Sequence, residues 1–236
     1  MRRPPRKAAA QELTSQLRER MKRDLLAVGV CGSAATGEDR AHSDIDMLCV
    51  VRRPRRDLGI RIYRGYLVTV LQLTAKEAAE EVLGSRAELG ETLGGWRSMR
   101  PLYDPTGLLA RLAADALHPH ASQFRKAARR ALLETFEDYG KLLNAIDARD
   151  RPEMREMAIW FTGAAHLVVL DLAREVLPTG RRAFVEVHRF GKLGEAILAL
   201  RYKNLSIPET EHLAKYVWRE LLRRAKVQGI VLQGIG

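Results

Sequence analysis

Gly32-Ser33-Ala34-Ala35-Thr36-Gly37-Glu38-Asp39-Arg40-Ala41-His42-Ser43-Asp44-Ile45-Asp46 is the stretch that decides how this chain is read. Ala27 to Cys31, just ahead of it, is a short apolar run expected to form a strand. Asp46 to Val51, at its end, is a second apolar run and a second expected strand. The small, polar residues from Gly32 to Ser43 predict a loop or short helix between them. Asp44 and Asp46 stand two apart at a strand start, so both side chains point to one face of the pleat. Side-by-side carboxylates repel unless a cation lies between them. Mg²⁺ suits such a pair, because it takes oxygen ligands and is held by one or two carboxylates together with substrate phosphates. Gly32 and Ser33 directly follow a strand. Glycine lets backbone approach a phosphate closely, the serine adds a hydroxyl donor, and successive N–H groups there can form an anion-binding nest. A bare Asp-x-Asp reads more often as a solvated loop. Joined to the upstream Gly-Ser, it predicts a cradle for a Mg²⁺-nucleotide.

Working outward, Leu13, Leu17, Met21 and Leu25 recur at helical spacing and predict a helix over residues 12–26. Ile60 to Tyr63 and Tyr66 to Leu73 read as a hairpin turning at Arg64-Gly65. Thr74 and Glu77 form a capping box that should open a helix. Leu102-Tyr103 looks like a last strand, and Pro105 is placed to begin a helix reaching about Leu117. Beyond His120 the pattern is helical throughout: Gln123 to Asp147, Pro152 to about Val176, a break at Leu177-Pro178-Thr179-Gly180, and a final helix from Pro208 to about Lys226. The expectation is an α+β protein. A small mixed-sheet domain, residues 1–119, binds nucleotide and metal, and residues 120–236 form an up-and-down helical bundle.

Composition narrows the partners. The chain has 236 residues, 46% of them apolar and 29% charged, as expected of a soluble globular protein. No apolar run approaches the roughly 18 residues that cross a bilayer, so no membrane partner is expected. Met1 to Lys7 is basic, lacks a following apolar region, and reads as a frayed arm in a cytoplasmic protein. Cys31 and Cys49 lie in apolar runs and read as two reduced core thiols. The formal charge of +11 favours nucleotides, RNA or other polyanions. The run Arg52, Arg53, Arg55 and Arg56 around Pro54 fits that bias and also fits a solvated loop. Scarce amide side chains with abundant charge are the composition of a thermophile protein.

The stretch from Gly32 to Asp46 resembles the nucleotide-binding signature of the nucleotidyltransferase superfamily related to DNA polymerase beta. Ser43-Asp44-Ile45-Asp46-Met47-Leu48-Cys49-Val50 is similar to the strand that follows the signature in kanamycin nucleotidyltransferases. The resemblance implies that Asp44 and Asp46 hold Mg²⁺ on a nucleoside triphosphate, ATP or another NTP. It also implies that Gly32, Ser33 and Ser43 bind the nucleotide, and that the enzyme is a homodimer. Glu137 and Lys141 fall where that family keeps a Glu and, four residues later, a Lys. The resemblance makes Glu137 the general base for an acceptor hydroxyl and Lys141 a positive charge against the phosphate, binding the nucleotide and contributing to catalysis. By spacing alone the two read as a surface ion pair. One departure stands out: Thr69 occupies the place of the family's third carboxylate. Either one metal suffices, another acid such as Glu77 or Asp104 replaces it, or catalysis is lost. The acceptor stays open between an aminoglycoside-like small molecule, an RNA and a protein side chain, and a non-catalytic nucleotide- or RNA-binding protein is the remaining alternative. The spacing from Arg182 to His188 fits that of HEPN ribonucleases, although arginine is common enough here for chance to produce it. Asp104 reads as a helix cap, and His166 as a satisfied core residue.

Overall fold

The computed structural model describes residues 4–55, 58–177, 180 and 183–232. The chain divides into two compact units, residues 1–84 with 92–119, and residues 85–91 with 120–236.

In the first unit, helix α1 (Arg6–Met21) buries Ala9, Ala10, Leu13, Thr14, Leu17 and Met21 along one stripe. It ends earlier than the periodicity predicts. Lys22 takes a positive φ of 48° and a 3-10 turn covers Lys22–Asp24, so Leu25 opens strand β1 (Leu25–Cys31) instead of closing the helix. At the other end α1 starts within the expected frayed arm, already helical at Arg6 and Lys7.

Strands β2 (Ile45–Val51), β3 (Ile60–Tyr63), β4 (Tyr66–Leu73) and β5 (Arg100–Tyr103) complete one sheet in the order β3-β4-β2-β1-β5. Only β2 and β4 run parallel; the remaining pairs are antiparallel. The β3–β4 hairpin turns at Arg64-Gly65, both with positive φ, as a two-residue turn of that hand requires. One sheet face puts Val28, Val30, Ile45, Met47, Cys49, Val51, Val68 and Val70 against α1 in a single apolar cluster. On the other face β1 meets side chains so closely that a Cβ on Gly29 would lie 2.7 Å from Met99 Sδ. Helix α2 (Gly32–Thr36) follows β1, and α3 (Ala75–Leu83) opens on the expected capping box of Thr74 and Glu77. Helix α4 (Leu89–Ser98) was not expected from periodicity. Helix α5 (Leu108–Asp115) starts after Gly107 rather than at Pro105.

The second unit is helical: α6 (Ala121–Asp147), α7 (Arg151–Ala173), α8 (Ala183–Val187), α9 (Lys192–Tyr202) and α10 (Ile207–Val227). Asp150 accepts from Glu153 N–H at 3.0 Å to cap α7, and Ser206 with Glu209 forms a capping box at α10. Helix α6 runs through Gly140 without a break, because Leu132, Leu142, Ala145 and Ile146 on either side are all buried in the bundle core. Tyr139 stacks on Trp218 at 5.4 Å and tilts against Phe161 at 5.6 Å. Contrary to the sequence expectation, α7 has the length and apolar composition to cross a membrane. Most of its apolar stretch is buried in this core, as in a core helix of a water-soluble domain. The overall class is α+β, a small mixed sheet followed by a helical region.

Candidate nucleotide-binding site

The register aligns Cys31, Asp46 and Thr69 side by side across β1, β2 and β4. Residues level with one another in register share a face, so these three lie on the sheet face opposite the α1 core. Gly32 follows with φ +64°, a conformation natural to glycine, and a Cβ there would sit 2.9 Å from Asp46 Oδ2. The turn after β1 therefore rests against the Asp46 carboxylate, and only a residue without a side chain fits. Asp44 immediately precedes β2 and is half-buried, like Asp46. The Cys31 thiol records the local field. Burial foremost, then the charges of Asp46 and Glu81, push it up to about 12, so it stays protonated and unreactive. Cys49 is likewise held up at about 12 by burial, and both cysteines are free. They cannot pair: Cys31 is level with Asp46 and Cys49 with Val28, at different rungs and on opposite faces.

Ser33 is the second residue of α2, and its carbonyl accepts from both Gly37 and Glu38 N–H, at 3.0 and 3.1 Å, closing that short helix. Ser43 braces the loop before the acidic pair. Its Oγ accepts from Arg40 N–H at 2.8 Å, and its carbonyl accepts from Arg6 Nε at 3.0 Å. Arg6 also donates to the Arg40 carbonyl at 2.6 Å and the Ala41 carbonyl at 2.9 Å, and pairs with Asp39 at 2.7 Å. One guanidinium thus fixes residues 39–43 with planar, multidentate contacts. No local pattern signals this contact, since Arg6 lies in a basic segment far along the chain from the loop.

The replacement acids proposed for Thr69 have other work. The Glu77 carboxylate accepts from Thr74 N–H and Oγ1, at 2.7 and 2.8 Å. Asp104 is not the N-cap of α5, a position that Gly107 takes; its Oδ2 accepts from Ala110 N–H at 3.1 Å in the first turn, while Oδ1 is buried without a hydrogen-bond partner among the described residues. Glu81 on α3 was overlooked; it lies near enough to Cys31 to raise that thiol and accepts from Trp96 Nε1 at 3.3 Å. Among the described residues no group of three or more His, Cys, Asp or Glu could hold a metal. Asp44 and Asp46, two apart at the start of β2, are the carboxylates that could serve a cation beside the Gly32 turn. This fits a hard divalent ion that takes its remaining ligands from phosphates and water, and the bare Gly32 cradle leaves room for backbone close to that carboxylate.

In the second unit, Glu137 and Lys141 meet on α6, Oε1 to Nζ at 2.7 Å, with Asp138 Oδ1 at 3.9 Å. The Glu137 side chain is 70% exposed. Its hydrogen bond to Lys141, reinforced by that charge, holds the carboxyl below the ordinary range, and the lysine is raised in turn. Arg182, half of the ribonuclease-like spacing, lies outside the described residues. His188 Nδ1 meets the Val185 carbonyl. His166 is buried with Nε2 3.4 Å from Glu91 Oε1 and its ring against Phe184, but Nδ1 lacks a hydrogen-bond partner among the described residues, so its needs are only half met. Periodicity also missed Asp171, 2% exposed on α7. Burial foremost, then Glu88 and Glu91, raise it to about 8 against a hydrogen bond from the Gly90 backbone.

With this geometry in place, residues 13–89 match the family model described as the nucleotidyltransferase domain. That span contains β1, the Gly32 turn, both aspartates and Thr69, so the chain carries the domain of a transferase. Among solved structures, a nucleotidyltransferase-like protein from Exiguobacterium sibiricum 255-15 is similar over 93% of this chain and 76% of that one, with a TM-score of 0.62. At 9% identity that likeness is one of fold. No curated protein matches the sequence significantly.

Proposed function

We propose that this protein moves a nucleoside monophosphate from a nucleoside triphosphate, ATP or another NTP, to an acceptor hydroxyl, in the manner of a kanamycin nucleotidyltransferase. The observation that carries the reading is the Gly32 turn resting against the Asp46 carboxylate within the matched domain. Asp44 and Asp46 would hold Mg²⁺, which neutralises phosphate charge when bound. Gly32 and Ser33 would form the wall for the nucleotide, and Ser43, buried behind them, would serve it by bracing the loop. The acceptor oxygen attacks the α-phosphorus, the bond to pyrophosphate breaks, and the hydroxyl proton passes to Glu137. Lys141 opposes the charge on the attacked phosphate. By resemblance the working form is a homodimer.

The acceptor is an aminoglycoside-like small molecule in this reading, although the +11 charge repels cations at long range and favours RNA as acceptor. Thr69 beside Asp46 supports a second reading, a nucleotide-binding protein without catalysis. Incubation with labelled NTPs, Mg²⁺ and a panel of aminoglycosides, RNAs and the protein itself separates the two. Pyrophosphate release that disappears in Asp44→Ala and Asp46→Ala supports transfer. Release that survives both changes sinks the site, and tight NTP binding with no release for any acceptor establishes the second reading.

A further inference from the structure

A cavity of about 250 Å³ opens in the helical unit between the start of α7, the end of α9 and the start of α10. Arg151, Arg155 and Lys203 line it with Tyr202 and Asn204, over a floor that includes Met154. Three cations and no carboxylate face this space. Arg155 is a structural member: it donates to the carbonyls of Leu200, Arg201 and Lys203 at 3.2, 2.8 and 2.8 Å and so closes the end of α9. Arg151 and Lys203 have no ion-pair partner among the described residues. Two uncompensated charges beside a pocket, in a protein of net charge +11, concentrate anions there. At the rim Tyr202 is 63% exposed; Phe184 meets it at 84° and 6.2 Å, and the Arg201 guanidinium lies over its ring 5.9 Å from the centroid.

We infer that this cleft binds single-stranded RNA, with a phosphodiester between Arg151 and Lys203 and a base stacked on Tyr202. The volume lies under the roughly 300 Å³ at which pockets begin to enclose drug-sized ligands, room for a phosphate with its sugar. Cationic grooves next to an exposed aromatic ring are the usual means of holding single strands. The inference does not depend on the proposed transfer reaction, since the cleft is built within the helical unit.

The test is fluorescence anisotropy of a labelled oligouridylate of about ten nucleotides, a length within the span of one strand-binding site, titrated with the full chain over a range of salt. Arg151→Gln combined with Lys203→Gln should weaken binding at least tenfold and reduce the salt slope by about 1.4, as loss of two single-strand phosphate contacts requires. Lys126→Gln combined with Arg129→Gln removes two exposed charges from α6 and should cost less than threefold. Tyr202→Ala, which leaves every charge in place, should cost about tenfold through lost stacking. Arg151→Gln combined with Lys203→Gln should leave nucleoside triphosphate binding unchanged, so failure of the transfer reaction and failure of this cleft are read separately. Equal losses in the two charge-pair variants would overturn the inference, as would uridine monophosphate binding as tightly as the oligomer. Capture by anionic vesicles with the same variant dependence, without RNA binding, would overturn it as well.

Discussion

Two acidic groups named from the sequence are held in opposite ways. Asp46 is fixed by backbone: its strand pairs on both sides, and the turn at Gly32 closes against its carboxylate. Glu137 is fixed by another side chain, the Lys141 ammonium one helical turn on, with water around both. A carboxylate walled in by main chain has few rotamers open to it in the folded protein. An exposed i, i+4 pair holds a weak preference that solvent and salt erode. The first arrangement is what pre-organised charge neutralisation needs. The second suits a group that is released from its partner when substrate arrives.

Substitutions can break that contrast. The largest expected effect is from Asp46→Asn, which should lower pyrophosphate release at least ~10³-fold, about 4 kcal/mol of transition-state stabilisation, with thermal melting nearly unchanged. Next is Glu137→Gln. As a general base its loss should slow transfer ~10²- to 10⁴-fold at saturating acceptor. An unchanged rate would leave it a surface ion pair and confine the chemistry to the first unit. The pH profile is an independent check. Lys141 holds the Glu137 carboxyl below its usual range, so activity of the free enzyme should persist down to acid pH rather than fall away near neutrality.

Gly32→Ala should cost on the order of ten- to a hundredfold in rate, through displacement of Asp46, and roughly 1 kcal/mol in stability from its positive φ. Wild-type protein and Gly32→Ala compared by urea unfolding and by turnover would separate strain from positioning.

Asp171 extends the comparison to a carboxylate fixed by burial. Its folded pKa, about 8, is above the unfolded value, so its contribution is fully present below about pH 4 and is lost as pH rises toward 8. One proton accounts for at most ~1.4 kcal/mol per pH unit. Asp171→Asn should flatten the stability profile in that window, as urea midpoints at several pH values would reveal. Smallest of all, a double-mutant cycle on Glu137 and Lys141 should give only a weak stability coupling that fades in high salt.

Much of the fold was legible locally. The hairpin at Arg64-Gly65, the Thr74 capping box and the Pro208 helix start each rest on chemistry contained within four residues. Where the reading slipped, a non-local term decided. Helix α1 stops at a positive-φ lysine because Leu25 is taken into the sheet. Helix α4 shows little periodicity, with Leu89, Gly90 and Glu91 in one unit and the rest of the helix in the other. Two of the candidate replacements for the third acid, Glu77 and Asp104, are engaged at helix starts, which only their hydrogen bonds reveal.

The opening stretch, residues 32–46, determined by itself the acidic pair, the glycine turn and the class of domain, because spacing along a strand fixes which side chains share a face. Tertiary structure alone decided three things: the level pairing of Asp46 with Thr69, the Arg6 clamp on the loop, and the gathering of three cations around the cleft at Tyr202. Each joins residues far apart in the chain, and contacts of that kind follow from how elements pack, which local propensity does not encode.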